Sequence, residues 1–146
     1  MKRSKRLKVV LDLAERKRKQ ADQWLAEAQN RVLQHEQTLQ QLQQYYTEYA
    51  NQFYAGGIEG VSVQQLHTHQ AFMNKLRQAI EQQKRAKQMD EAQLQQVKAH
   101  WQSAYGHFKA IDSLVDKAKV DEAAQAEKQQ QKLIDERSQL IRPPFI

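Results

Sequence analysis

The stretch QQYYTEYANQFYAGGIEGVSVQQL, residues 43–66, decides the fold, because one helical pattern ends in it and another begins. The glycines of Gly56–Gly57 readily adopt the left-handed conformation that closes a helix C-terminus. Ser62, with Gln65 three residues later, has the pattern of a capping box, which starts a helix. We therefore predict that a turn at residues 56–61 joins two helices.

The first helix carries a heptad pattern before this turn. Alternate steps of four and three residues from Leu7 to Phe53 reach fourteen positions, and twelve of them are apolar or aromatic. A seam sustained over this many heptads indicates a coiled-coil helix. The seam positions are Leu7, Leu11, Ala14, Arg18, Ala21, Leu25, Ala28, Val32, His35, Leu39, Leu42, Tyr46, Tyr49 and Phe53.

The second helix has a matching seam with one weak stretch. At Gln83, Lys87 and Asp90 the seam positions are polar. Either the register shifts there to use Ala86 and Met89, or the helices meet in a polar layer. The seam positions on the two sides of this stretch, all apolar except His69, are Leu66, His69, Met73, Leu76 and Ile80, then Leu94, Val97, Trp101, Ala104, Phe108, Ile111, Val115 and Ala118.

The short connection makes the two helices antiparallel neighbours. The predicted fold class is all-α, an antiparallel two-helix coiled-coil hairpin with a longer second helix. We expect one domain over 1–146, with helix one at about 3–55, helix two at about 62–138 and a tail at 139–146. From about Lys119 onward helix two has no partner, so we expect this end to fray in the isolated chain.

Composition supports a polar, elongated helical protein. Of 146 residues 26 are Gln and 27% are charged, the mean hydropathy is −0.92, and there is no Cys. The basic start has an apolar run broken by Asp12 and Glu15, unlike a secretory signal, and no run is long enough to span a bilayer. We expect a soluble cytoplasmic protein.

The positive charge is concentrated at one end of the sequence. Residues 1–19 hold nine Lys or Arg against Asp12 and Glu15, a net charge of +7, whereas the whole chain carries +6. Such a cluster fits a solvated helix end, an anionic partner such as nucleic acid or lipid, or an acidic protein surface. The near-neutral remainder, and the lack of any aromatic residue before Trp24, argue against a nucleic-acid binder.

The histidines and glycines do not predict catalysis. His67 and His69 point to different faces of a helix, and His100 and His107 lie about 10 Å apart at helical rise, so neither pair forms a chelate. The GGIEG sequence lacks the strand and Gly-Lys-Ser/Thr context of a phosphate-binding loop. We expect no enzyme activity, no cofactor and no metal.

A second row of apolar residues lies beside the seam near the turn. Tyr45 is off the seam, and the hairpin register places it opposite Phe72, with Leu42 opposite Leu76. Contiguous exposed apolar patches usually mark protein interfaces, and tyrosine is favoured in them. The alternative is that these residues only add packing to the core; we favour a docking face in which Tyr45 and Phe72 are exposed side by side. This face, termed the aromatic strip, is formed by Leu42, Tyr45, Tyr49, Phe72, Leu76 and Ala79.

Several segments, taken in order along the hairpin, resemble the flagellar FliJ proteins of the bacterial type III export apparatus. They are LKVVLDLAE from Leu7 to Glu15, the tip residues Leu42, Tyr45, Glu48 and Tyr49, and Phe72 with Leu76 and the run Ala79-Ile80-Glu81-Gln82, followed by Trp101. The family has histidine where this chain has Gln83 and glutamine where it has Thr38.

The resemblance implies a stalk that inserts the ends of its hairpin into the export ATPase ring and binds the export-gate membrane protein through the aromatic strip. The ring-binding candidates are Lys5, Arg6, Arg16, Lys17, Arg18 and Lys19. Export chaperones are a further candidate partner, and the implied location is the cytoplasmic face of the inner membrane. The alternatives are a stalk-like protein of a virulence secretion system and a generic coiled-coil tether with a nucleic-acid-binding basic end.

Overall fold

The computed structural model describes residues 2–57 and 60–141, which form two long helices. Helix α1 spans Arg3–Ala55, and helix α2 spans Val63–Ile141. The two helices pack against each other and run antiparallel. Helix α2, with 79 residues, is longer than α1, with 53. The described residues contain no strand. The predicted helical hairpin with a longer second helix is confirmed.

The turn has the predicted chemistry at both ends. Gly57 has φ of +82°, the left-handed conformation that only glycine adopts without strain. On the other side, the Ser62 hydroxyl accepts a hydrogen bond from the backbone N–H of Gln65. The side-chain oxygen of Gln65 accepts one from the backbone N–H of Ser62, and both bonds are 3.1 Å long. This reciprocal pair is the capping box. Ile58 and Glu59, within the predicted turn, lie outside the described residues.

The chain divides into two compact units. The terminal unit combines Met1–Gln20 with Gln102–Ile146, and the tip unit is Ala21–Trp101. In the terminal unit Ala14, Ile111 and Val115 are buried together, and Leu7, Leu11 and Phe108 pack against them. All six are predicted seam positions, so the heptad reading places this core correctly.

The tip unit has small residues at one end of its seam and rings at the other. Ala21 and Ala28 are fully buried, and small seam side chains allow two helix axes to come close. Beside them the Trp101 indole donates a 2.6 Å hydrogen bond to the Asp22 carboxylate. Towards the turn, Met73 is buried in the seam.

The weak stretch of the second seam is a polar layer. His35 Nε2 lies 2.6 Å from the Asp90 carboxylate, and the Gln83 amide nitrogen lies 2.6 Å from His35 Nδ1. Met89, which a register shift would bury, is 74% exposed. His35 has two ring nitrogens, one for each partner, so the layer satisfies its polar groups without a change of register.

Helix α2 continues through the segment that we expected to fray. It remains helical to Ile141, and from Lys119 to Ile141 every side chain is exposed except the half-buried Glu122. The sequence from 121 to 141 is rich in Ala, Gln, Glu and Lys, which favour helix without tertiary contacts. The rest of the predicted tail, residues 142–146, lies outside the described residues.

Candidate docking surfaces

The aromatic strip is centred on three rings of the tip unit. The Tyr45 ring meets the Phe72 ring edge-on at 6.4 Å between centroids, and Tyr49 lies 4.6 Å from Phe72 on the other side. Tyr45 is 53% exposed, whereas Phe72 and Tyr49 are half-buried. The hairpin register therefore brings together the rings that the sequence paired.

The aliphatic members of the strip are less exposed than we expected. Leu76 is only 9% exposed, because it occupies a seam position and faces the opposite helix. Leu42 and Ala79 are half-buried. We expected Tyr45 and Phe72 to be exposed side by side; only Tyr45 is, because Phe72 is partly covered by Tyr45 and Tyr49.

Below these rings His69 is held in an aromatic stack. Its ring lies 3.7 Å from that of Phe53 and 5.1 Å from that of Tyr49, nearly parallel to both. His69 is buried, and its Nδ1 atom has no hydrogen-bond partner among the described residues. The seam position predicted burial of this ring but not the stack.

The opposite flank of the tip unit carries a groove that the sequence did not predict. Tyr46, which we assigned to the core, is half-buried, and its hydroxyl accepts a 2.9 Å hydrogen bond from Arg77 Nε. The Arg77 guanidinium also lies 5.6 Å from the centre of the Tyr46 ring. Repeating four-residue steps from Tyr46 would have identified this flank, because they reach Ala50 and Tyr54, the latter 64% exposed.

In the terminal unit five of the six predicted ring-binding cations are exposed. These are Lys5, Arg6, Arg16, Lys17 and Lys19. Lys19 pairs with Glu15 at 3.6 Å, a surface contact that contributes little. Arg18 is different, since it is half-buried with its guanidinium 4.9 Å from the centre of the Phe108 ring. Its place in the seam makes it part of the packing.

The start of α1 is capped by a residue of α2. The Ser4 amide donates to one oxygen of the Glu122 carboxylate at 3.0 Å, and the Ser4 hydroxyl donates to the other at 2.7 Å. The first turn of a helix has unpaired amides, so a carboxylate is favourable there. The backbone bond first, and then the hydroxyl bond, hold the pKa of Glu122 below its ordinary value of 4.5, and Lys2 adds to this. Partial burial opposes the shift.

The last part of α2 exposes apolar residues on an otherwise polar helix. Leu133 and Ile134 are both more than half exposed, and Leu140 and Ile141 more so. We term residues 121–141 the overhang. A groove of about 440 Å³ at its base is lined by Lys2 and Arg3 on one side and Gln125 and Gln129 on the other.

Two further properties concern the described residues as a whole. Across residues 2–57 and 60–141, no three acidic or histidine side chains gather closely enough to hold a metal ion. Neither helix of this part of the chain has a stretch that is apolar enough to cross a bilayer.

The family comparison fits this geometry. The model of the flagellar FliJ protein family matches residues 3–141, nearly the whole chain and both helices. The chain belongs to the flagellar FliJ family. Membership associates this helical hairpin with the flagellum and type III protein export. No curated protein and no solved structure matches the chain.

Proposed function

We propose that this FliJ-family chain is a non-catalytic stalk of the flagellar export apparatus. Its terminal unit docks into the export ATPase ring, and its aromatic strip binds the export-gate membrane protein. The protein is cytoplasmic and associates with the inner membrane through these partners. The observation that carries the proposal is Tyr45, an exposed ring held against Phe72 beside a closed core.

The strip suits an interface because its rings are already in place. Tyr45 is supported by Phe72, which in turn contacts Tyr49, so an incoming surface meets a preformed aromatic cluster. Preorganised aromatic side chains lose little conformational entropy on binding. Leu76 is buried in the seam. Tyr45 is therefore the anchor, Phe72 holds it in position, and Leu76 is a core residue.

The terminal unit suits a ring partner for two reasons. Its five exposed cations can steer it to an acidic surface. The overhang exposes Leu133 and Ile134, an apolar pair that a partner would cover. Arg18 contributes to the packing on Phe108 and not to this charged surface.

The strip is tested by measuring affinity for the purified cytosolic domain of the gate protein. Tyr45→Ala should weaken binding by about 2 kcal/mol, about thirtyfold, because an interface anchor is lost. It should lower the free energy of unfolding by less than about 1 kcal/mol, since the ring is half exposed. The matched control is Tyr54→Ala, which removes another exposed tyrosine of the same helix and should leave gate affinity unchanged.

Phe72→Ala is a less decisive variant because Phe72 is half-buried. Tyr45→Arg is better, since it keeps the core and places a charge on the strip. If both Tyr45 variants bind the gate domain as the parent chain does, the strip is not the docking face.

The terminal unit is tested by stimulation of ATP hydrolysis by the export ATPase. Truncation after Ala126 removes most of the overhang but keeps Glu122 on Ser4, so loss of stimulation would report docking rather than unfolding. Neutralising Lys5, Arg6 and Lys17 to Gln should slow association and make it less sensitive to salt. The control neutralises three tip-unit cations, Lys75, Lys84 and Arg85. Undiminished stimulation by the truncated and neutralised chains would contradict the ring assignment.

A further inference from the structure

We propose that the groove on the flank opposite the aromatic strip is a second docking site, and that it takes an acidic segment of another protein. The partner would place an aliphatic side chain between Tyr46 and Tyr54 and a carboxylate on Arg77. The groove has a volume of about 340 Å³ and lies within the tip unit. This site is separate from the gate-binding surface proposed above.

The two faces lie on opposite sides of the seam. On α1, Tyr45 precedes the seam residue Tyr46, whereas Ala50 follows the seam residue Tyr49. On α2, Phe72 precedes the seam residue Met73, and Arg77 follows Leu76 on the groove side. Residues before and after the seam diverge to the two flanks of a coiled coil. A partner on one face therefore leaves the other accessible.

The shape of the groove comes from one small residue between two large ones. Tyr46, Ala50 and Tyr54 follow each other at four-residue steps, so they form one ridge about 12 Å long. Ala50 leaves a notch between the two rings. Buried Met73 and His69 form its base. A notch with aromatic walls and an apolar base accepts an aliphatic side chain.

The positive charge of the groove favours a carboxylate as the second group that the partner contributes. Arg77 is exposed, and its Nε atom is already bound to the Tyr46 hydroxyl, which fixes the guanidinium over the ring. Its two terminal nitrogens remain as a planar fork that matches a carboxylate. Among the described residues no acidic side chain forms a salt bridge with Arg77. The other lining residues from α2, Gln70 and Asn74, are neutral.

These positions define the spacing of the ligand. Ala50 lies four residues, about 6 Å, from Tyr46, where Arg77 is held. The aliphatic group and the carboxylate should therefore be separated by about one helical turn, or by two residues in an extended segment. A nucleic-acid backbone fits poorly, since it calls for a row of cations and the groove has one.

The test begins with random peptides of about twelve residues displayed on phage and selected on the full chain. Peptides that bind the parent chain and remain after counter-selection on Arg77→Gln should share an Asp or Glu that lies one helical turn, or two residues, from Leu, Ile or Val. One such peptide is then synthesised with a fluorophore, and its affinity is measured by anisotropy. Retained peptides without an acidic residue would overturn the proposal.

Variants of the groove give the second measurement. Arg77→Gln and Ala50→Gln should each lower the affinity for the labelled peptide by at least about tenfold. Arg77→Gln removes the guanidinium fork, and Ala50→Gln fills the notch. The affinity of Arg77→Lys should lie between those of Arg77→Gln and the parent chain, because lysine keeps the charge and loses the fork. Unchanged affinity in Arg77→Gln would also overturn the proposal.

Two controls separate this site from net charge and from the strip. Arg85→Gln removes the same charge from the same helix outside the groove, and Tyr45→Ala removes a ring from the opposite flank. Both should bind the labelled peptide within about twofold of the parent chain. A tenfold loss in either control would contradict the assignment. If circular dichroism shows that Arg77→Gln has lost helix, Ala50→Gln decides.

Two other occupants are distinguished in the same experiments. The chain itself carries an acidic and an aliphatic residue one helical turn apart, Glu136 and Leu140, on its exposed overhang. If sedimentation shows self-association that Arg77→Gln abolishes, the occupant is a second copy, and the proposal of a separate protein is wrong. Binding of labelled poly(U) RNA that depends on Arg77 would likewise overturn it.

Discussion

The tip unit and the terminal unit use the same heptad seam and close it with different side chains. In the tip unit, rings stack on His69 and polar groups meet at His35. In the terminal unit the buried cluster is aliphatic, formed around Ile111 and Val115. Rings too large for one seam extend to both flanks, whereas aliphatic side chains fit inside it. The tip unit therefore offers side faces to partners, and the terminal unit offers its charge and its overhang.

The sharpest test of this contrast is a charge in the aliphatic cluster. Val115→Asp buries an unpaired carboxylate at a position that is 2% exposed, so it should destabilise the terminal unit by about 3 kcal/mol or more. Hydrogen exchange should show loss of protection around Val115, with protection around His35 retained. The control is Val120→Asp, five residues later and 68% exposed, which should have almost no effect. Equal loss of protection in both units would show that their cores are not separate.

A second test concerns the polar layer of the tip unit. His35→Ala removes the imidazole that half-buried Gln83 and Asp90 both contact, and we expect a loss of about 2 kcal/mol in the free energy of unfolding measured in urea. Met89→Ala, on the same stretch, should change stability by less than about 0.5 kcal/mol because Met89 is exposed. A stable His35→Ala chain would mean that the three polar groups do not depend on one another.

Replacing glycine by alanine should lower the stability of the tip unit at one position and raise that of the terminal unit at another. Gly57→Ala places a side chain at φ of +82° in the turn, and should cost about 1 kcal/mol. Gly106→Ala lies inside α2, where the added carbon meets nothing within 4 Å apart from the adjoining part of its own helix, and should stabilise the terminal unit by about 0.7 kcal/mol. Thermal unfolding measures both. A stabilised Gly57→Ala chain would argue against the left-handed turn.

The smallest expected effect depends on pH. Because the folded-state pKa of Glu122 is lowered, its contribution to stability is present above 4.5 and is lost as the pH falls through the lowered value. The difference in melting temperature between the parent chain and Glu122→Gln should therefore shrink below about pH 4.5. Glu127→Gln, an exposed control on the same helix, should show little difference at any pH. A difference that grows in acid would contradict the cap.

Periodicity was enough to predict the hairpin and its core. Leu7, Ile111 and Val115 were placed by counting alone, and the turn followed from glycine conformation and a capping pair. The alternatives at Gln83 could not be resolved by counting, because the choice depends on whether His35 can satisfy two partners at once. The sequence placed Leu76 both on the seam and on the exposed strip, and only the packing of the helices shows that Leu76 is buried in the seam. Arg77 was missed because its bond to Tyr46 depends on side-chain rotamers.

The Ser4–Glu122 cap has a consequence for the order of folding. The two residues are 118 positions apart, so on the ribosome α1 begins without the carboxylate that completes its first turn. Local pairing around residues 56–62 can form much earlier, because short loops close at a lower entropic cost than long ones. The hairpin should then zip from the turn outward, and the last contact made joins the oldest part of the chain to one of the newest.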